Sequence, residues 1–226
     1  MSTNHTPGLL VGTGNAHKLL EISRILDDLE IDVVDTRVLP EIPDVEESGD
    51  TFEANSTIKA LAFAESCLAL APGDRPRWVL SDDSGLCVDA LGGRPGVLSA
   101  RYASDRVDTP NDTDNVRKLL DELADVPDGQ RSARFVCHLV VVQVPENSAH
   151  SARVGFSGAG ECHGVIARTV RGEGGFGYDP VFEVPDLGKT FAEIPGDEKN
   201  RRSHRGRALA LLRKYMQEQL GQKLQR

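Results

Sequence analysis

Residues 133–144 read ARFVCHLVVVQV, and this run decides the fold class. Apolar, β-branched and aromatic side chains dominate it, interrupted only by Arg134, His138 and Gln143. That composition at that length reads as a strand lying in the interior of a sheet. Residues 152–166 follow, alternating around several glycines, and are expected to pair with it as a hairpin or meander. Two strands in succession exclude a purely doubly wound fold, in which strand and helix alternate throughout.

Toward the N-terminus, residues 115–123 place Val116, Leu119, Leu120 and Leu123 on one side of a surface helix. Residues 92–96 (GGRPG) are a loop. Residues 78–81 are an apolar strand ending in Asp82-Asp83-Ser84-Gly85, and residues 86–91 are expected to form a further strand. An Ala-rich helix, capped by Asp50 or Thr51, precedes the turn at residues 72–77. Residues 40–49 form an acidic loop and residues 31–36 a second strand. Before these, Leu19, Ile22, Leu26 and Leu29 recur at helical spacing after the apolar run 8–11 and the turn Gly12-Thr13-Gly14-Asn15. Toward the C-terminus come a Gly-rich loop at residues 172–179 and a last helix over 203–220 with Leu209, Leu212 and Met216 as its stripe. The expected class is mixed α/β, a mixed β-sheet flanked by helices.

Composition narrows the function. The 226 residues carry 39% apolar and 27% charged side chains with a net charge of −9, which suits a globular protein and argues against long nucleic acid as a partner. Cys67, Cys87, Cys137 and Cys162 stand far apart without CxxC spacing, so they read as buried reduced thiols and not as a zinc site. No apolar run reaches the roughly 20 residues of a membrane span. The start shows no secretory pattern, so the default compartment is cytoplasmic, with residues 1–7 as a flexible tail.

Five constellations can carry chemistry. Thr13, Gly14, Asn15, Ala16, His17 and Lys18 join a strand to a helix, where free N–H groups and the positive helix end suit a phosphate. They match neither standard phosphate-loop pattern, and an ordinary strand-to-helix turn also accounts for them. Glu46 and Glu47 precede Asn55 and Lys59, which share one helix face. Asp82 and Asp83 end an apolar strand, as magnesium carboxylates do; pleating points them to opposite faces, and pattern alone does not say which serves a metal. Phe176, Gly177, Tyr178 and Asp179 lie in a loop whose aromatics either stack on a base or anchor the loop to the core. Lys199, Ser203, His204 and Arg205 gather donors at a helix start, fit for phosphate or a base carbonyl.

With TGNAHK at residues 13–18, SDDSGLCVDALGGRPGVLSARYA at 81–103, GGFGYDPVF at 174–182 and EKNRRSHRGRAL at 198–209, the chain resembles the Ham1-like or RdgB-like inosine/xanthosine triphosphate pyrophosphatases. The resemblance implies one domain over residues 1–226, built as a long mixed sheet with two lobes and an active-site cleft between them, and a homodimer. It implies magnesium-dependent hydrolysis of noncanonical purine nucleoside triphosphates such as dITP, ITP and XTP to monophosphate and pyrophosphate. Thr13 to Lys18 would hold the triphosphate, with Lys59 and Lys199 sharing its charge. Asp83 would be the catalytic carboxylate and magnesium ligand, with Glu47 as a second metal contact. Ser84 would touch substrate, Phe176 to Asp179 would enclose base and sugar, and His204 and Arg205 would meet the purine 6-oxygen. Ala54 stands where the family has Glu, Ser56 where it has Ala, and Leu98 where Tyr is common. Two other readings use the same residues: a Maf-like pyrophosphatase of pyrimidine nucleotides, and a noncatalytic nucleotide sensor.

Overall fold

The computed structural model describes residues 8–145, 147 and 149–221, except the side chains of Ala16 and His17. The tail expected at residues 1–7 lies outside the described residues. The chain divides into two compact units, and the divisions fall within three of its strands and its last helix.

The first unit runs to Asp83 and takes in His138–Gly158 and the chain from Ala208 onward. It opens with β1 (Gly8–Val11), α1 (Ala16–Leu26) and β2 (Asp32–Val34), then α2 (Phe52–Ser66) and the first half of β3 (Trp78–Val88). β1 pairs in parallel with β2 on one side and β3 on the other, through Leu10 opposite both Val34 and Val79. Leu10, Val79, Val140 and Val142 pack with Ala60, Phe63 and Ala64 of α2. Each large side chain buried there contributes about 1.5–3 kcal/mol.

The second unit comprises Ser84–Cys137 and Ala159–Arg207. It holds α3 (Asp112–Glu122), an apolar cluster of its own, the short strands β6 (Phe182–Val184) and β7 (Lys189–Thr190), α4 (Gly196–Arg202) and the start of α5 (His204–Gly221). Asn111 and Asp114 form a capping box that opens α3. The rings of Phe135, Phe182 and Phe191 meet at centroid distances of 4.6–6.0 Å, in one cluster with Tyr178 and Ile194. With β4 (Ser132–Gln143) and β5 (Arg153–Ile166), the strand order is β2-β1-β3-β4-β5-β6-β7. Parallel pairs at one edge and antiparallel pairs at the other make it a mixed sheet, as the central strand-rich run predicts.

Two expectations need correction. Residues 82–85 do not end a strand: β3 runs unbroken for 11 residues through Asp82-Asp83-Ser84-Gly85, and the chain turns only at Asp89–Leu91. The second strand is shorter than residues 31–36, because Thr36 already lies in a helical turn capped by the Asp35 carboxylate. All four cysteines are buried free thiols, and burial pushes the Cys67 thiol up to about 12.

Candidate active site

In the first unit the chain leaves β1 on one side, forms β2, and returns to place β3 on the other side of β1. Such a reversal of strand order is where open α/β sheets bind ligands, outside the strands' carboxyl ends. Gly12 N–H donates to Leu80 O at 2.8 Å, which locks the turn to β3. Gly12 is required there: a Cβ would lie 2.6 Å from the Phe63 ring and 2.7 Å from Ser81 Oγ. Thr13 Oγ1 accepts from Asn15 N–H at 3.1 Å, and Asn15 Oδ1 accepts from Lys18 N–H at 3.3 Å, so Asn15 caps α1. Gly14 and Asn15 are exposed, and a Cβ on Gly14 would meet nothing within 4 Å. An anion can therefore approach the backbone at the positive end of α1. Ala16 and His17 open that helix, but their side chains lie outside the described ones.

The two strand carboxylates take different partners, as pleating requires. Asp82 Oδ2 lies 2.8 Å from Lys18 Nζ. Asp83 Oδ2 accepts from Asn55 Nδ2 at 3.2 Å, and its Oδ1 lies 3.8 Å from Lys59 Nζ. Lys59 Nζ is also 3.3 Å from Glu47 Oε2, so two carboxylates converge on one ammonium. α2 delivers both polar residues because Asn55 and Lys59 are one turn apart, and Thr51 Oγ1 caps the helix by accepting from Ala54 N–H at 3.1 Å. Burial raises the Asp83 carboxyl above its ordinary range; Lys59 and the Asn55 bond pull it down, and Glu47 and Asp82 push it up.

In the second unit Phe176 is the exposed aromatic, 41% accessible, with Lys199 Nζ 4.8 Å and the Arg205 guanidinium carbon 5.8 Å from its ring centroid. The loop behind it is built on Asp179, whose Oδ2 accepts from Phe176 N–H at 2.8 Å and from Lys199 Nζ at 2.5 Å. Gly175, at φ 77°, must be glycine, since a Cβ would run into the Asp179 carboxylate. Gly177 N–H donates to Asp112 Oδ2 at 2.6 Å. Tyr178 is not a second open aromatic wall: it is 4% accessible, and its hydroxyl donates to Ser99 O at 2.8 Å. Ser203 Oγ accepts from Gly206 N–H at 3.0 Å and starts α5. That start presents His204, stacked 4.8 Å from Phe135, and Arg205, whose Nη2 donates to Ser84 Oγ at 3.4 Å.

Sequence reasoning left Asp82 without a role and placed Asn55 only on a helix face. Their partners, Lys18 and Asp83, lie far away along the chain. The i,i+4 spacing of Asn55 and Lys59 on an otherwise Ala-rich helix was the one local signal.

Residues 9–215 match the model of the Ham1 family. The chain belongs to the Ham1 family. It is 44% identical over 215 residues to the dITP/XTP pyrophosphatase of Geobacillus kaustophilus, covering 95% of this chain and 97% of that protein. It is 46% identical over 208 residues to the dITP/XTP pyrophosphatase of Geobacter sulfurreducens, with 92% and 96% covered. Among solved structures, a HAM1 protein from Coxiella burnetii superposes with a TM-score of 0.79 at 37% identity, covering 94% of this chain and 99% of that one. A nucleoside-triphosphatase, dITP/XTP pyrophosphatase from Mycobacterium abscessus gives a TM-score of 0.70 at 39% identity, with 91% and 98% covered.

Ham1 enzymes act on nucleotides, and such chemistry typically involves a divalent cation. Among the described residues no three His, Cys, Asp or Glu side chains group as a complete metal cage. Magnesium does not need one, because it keeps waters and binds through one or two carboxylates plus substrate phosphates. Asp83 and Glu47 supply hard oxygen donors that already converge on a cationic group, Lys59. The donor set fits magnesium.

Proposed function

We propose that this Ham1-family chain is a magnesium-dependent pyrophosphatase that cleaves dITP, ITP and XTP into nucleoside monophosphate and pyrophosphate, clearing them from the nucleotide pool. The observation that carries the reading is the convergence of Asp83 and Glu47 on Lys59, in the same unit as the open helix start at Gly14 and Asn15. In this reading Thr13 to Lys18 hold the triphosphate, and Asp83 and Glu47 hold the magnesium. When bound, the cation would offset phosphate charge in the transition state. Lys18, Lys59 and Lys199 add positive charge for the same purpose. Asp83 Oδ1 orients the attacking water or takes its proton. One water adds across the α–β phosphoanhydride, and the bridging bond breaks to release pyrophosphate.

Phe176 is the stacking platform for the base, and Arg205 and His204 donate to the purine 6-oxygen. Adenine presents an amino donor at that position, which would leave buried donors without a partner, and a site of that kind discriminates strongly. The same reading makes the protein a homodimer of one ITPase-like domain, on the strength of the resemblance, with the cytoplasm as its default compartment. Among the described residues no helix is long and apolar enough to cross a membrane.

The test is pyrophosphate release from ITP, XTP, dITP, GTP, ATP and dTTP, with and without magnesium, for the wild type and Asp83→Asn. Magnesium-dependent turnover of the 6-oxo noncanonical purines, lost in the variant, is the expected result. A preference for dTTP would move the protein to a pyrimidine-directed activity. Tight binding without pyrophosphate release would make it a sensor.

A further inference from the structure

Asn55 is fully buried in α2, and both ends of its amide are used. Its Oδ1 accepts from Gly49 N–H at 2.8 Å, and its Nδ2 donates to Asp83 Oδ2 at 3.2 Å. Gly49 lies two residues beyond Glu47, on the acidic loop that carries that carboxylate. One side chain therefore ties the loop bearing Glu47 to the strand bearing Asp83. Asparagine suits this task because it presents an acceptor and a donor about two ångströms apart on one rigid plane. Aspartate there would have no hydrogen to offer Asp83, and glutamine would carry its amide one methylene further. The residue has little freedom of its own: its neighbour Ser56, also fully buried, donates through Oγ to His138 O at 2.9 Å and pins this turn of α2 to β4.

We propose that Asn55 is a positioning residue that sets the separation of Asp83 and Glu47, and so prepares this pair to receive a divalent cation. The proposal rests on the functional reading above for the ligand pair and the reaction; the bridge between strand and loop is observed. Groups that hold a metal's ligands by hydrogen bonds typically contribute about ten- to a hundredfold in metal affinity or activity. Ser56 supplies a matched control. Ser56→Ala removes a buried hydrogen bond from the same helical turn without touching Asp83 or the acidic loop.

The experiment measures Mn²⁺ affinity without nucleotide, by electron paramagnetic resonance of free Mn²⁺, for the wild type, Asn55→Ala, Asn55→Ser and Ser56→Ala. Thermal melting and steady-state kinetics with ITP accompany it. Expected is a loss of Mn²⁺ affinity of about tenfold in both Asn55 variants, with kcat reduced by a similar factor and the KM for ITP changed less than about threefold. Ser56→Ala is expected to lower the melting temperature while leaving Mn²⁺ affinity at the wild-type value. The serine variant keeps the question open to measurement if the alanine variant fails to fold. Wild-type Mn²⁺ affinity in a folded Asn55 variant would overturn the proposal, and so would an equal loss in Ser56→Ala, which would mark a general effect of loosening α2. A wild type that binds Mn²⁺ yet releases no pyrophosphate from ITP would sink the functional reading and leave the positioning role to be judged on affinity alone.

Discussion

Lys18 Nζ lies 2.8 Å from Asp82 Oδ2, a cation at the mouth of the turn paired with a carboxylate that is 4% accessible. The pair fixes the ammonium in the first turn of α1 instead of letting a flexible stem sweep solvent. Lys18→Ala removes a point charge from the proposed triphosphate site and also takes the ion-pair partner from a buried carboxylate. It is expected to lower kcat/KM for ITP about a hundredfold and stability by on the order of 2 kcal/mol. The double variant Lys18→Ala, Asp82→Asn should recover stability and not activity. Urea denaturation and ITP kinetics on the three proteins check this, and recovery of both together would show that Lys18 matters only through folding.

Phe176 and Tyr178 are two residues apart and should answer differently to substitution. Phe176 is 41% accessible, so Phe176→Ala is expected to leave the melting temperature nearly unchanged. It should raise the KM for ITP about tenfold through loss of a base-stacking surface. Tyr178→Phe loses the hydroxyl bond to Ser99 O in the core, which costs about 1 kcal/mol of stability and should leave KM alone. Kinetics and melting on both variants test the contrast; a large KM effect from Tyr178→Phe would put that ring at the ligand.

The difference between these two aromatics marks the boundary of what the sequence conveys. Phe176-Gly177-Tyr178 reads as two aromatics in a glycine-rich loop, and only the packing against Ser99 and the Phe135 cluster sorts anchor from platform. The same boundary explains β3. Asp82-Asp83-Ser84-Gly85 carries strong turn propensity, and a local reading breaks the strand there. Lys18, Asn55 and Lys59, each distant along the chain, compensate the two carboxylates, so tertiary pairing overrides propensity. Features governed by near neighbours were legible: the Gly12 to Asn15 turn, a helix start at Asp50 or Thr51, the alternation of residues 152–166 and the Asn55–Lys59 face. α4 was not, because a seven-residue helix opened by Pro195 has no apolar stripe to betray it.

Arg205 tests selectivity. The residue is 5% accessible, and its guanidinium donates to Ser84 Oγ at 3.4 Å, near the Phe176 ring. If it meets the 6-oxygen, Arg205→Ala should slow ITP turnover and reduce the ratio of kcat/KM for ITP over ATP at least about tenfold. Arg205→Lys should restore charge but not the planar fork, and so recover only part of the preference. Parallel ITP and ATP assays decide it; an unchanged ratio in the alanine variant would remove Arg205 from base recognition.

His138 gives the fold a pH dependence separate from catalysis. Its Nε2 lies 2.8 Å from Ser157 Oγ, and that hydroxyl donates to Glu53 Oε1 at 2.7 Å. Burial holds the imidazole below its ordinary value of 6.5, against a smaller upward pull from Glu53. The sign follows from proton uptake. As pH falls through 6.5 the unfolded chain takes up a proton at this position before the folded one does, so folding is disfavoured. The stabilising contribution is complete above the unfolded value and is lost progressively below it, down through the lowered folded value. The melting temperature should therefore fall as pH drops below 6.5, and less steeply in His138→Gln. NMR titration of the His138 ring, expected to show a midpoint under 6.5, gives the direct reading. A midpoint above that value would mean that Glu53 outweighs burial, and the slope of stability with pH would then reverse sign in this window.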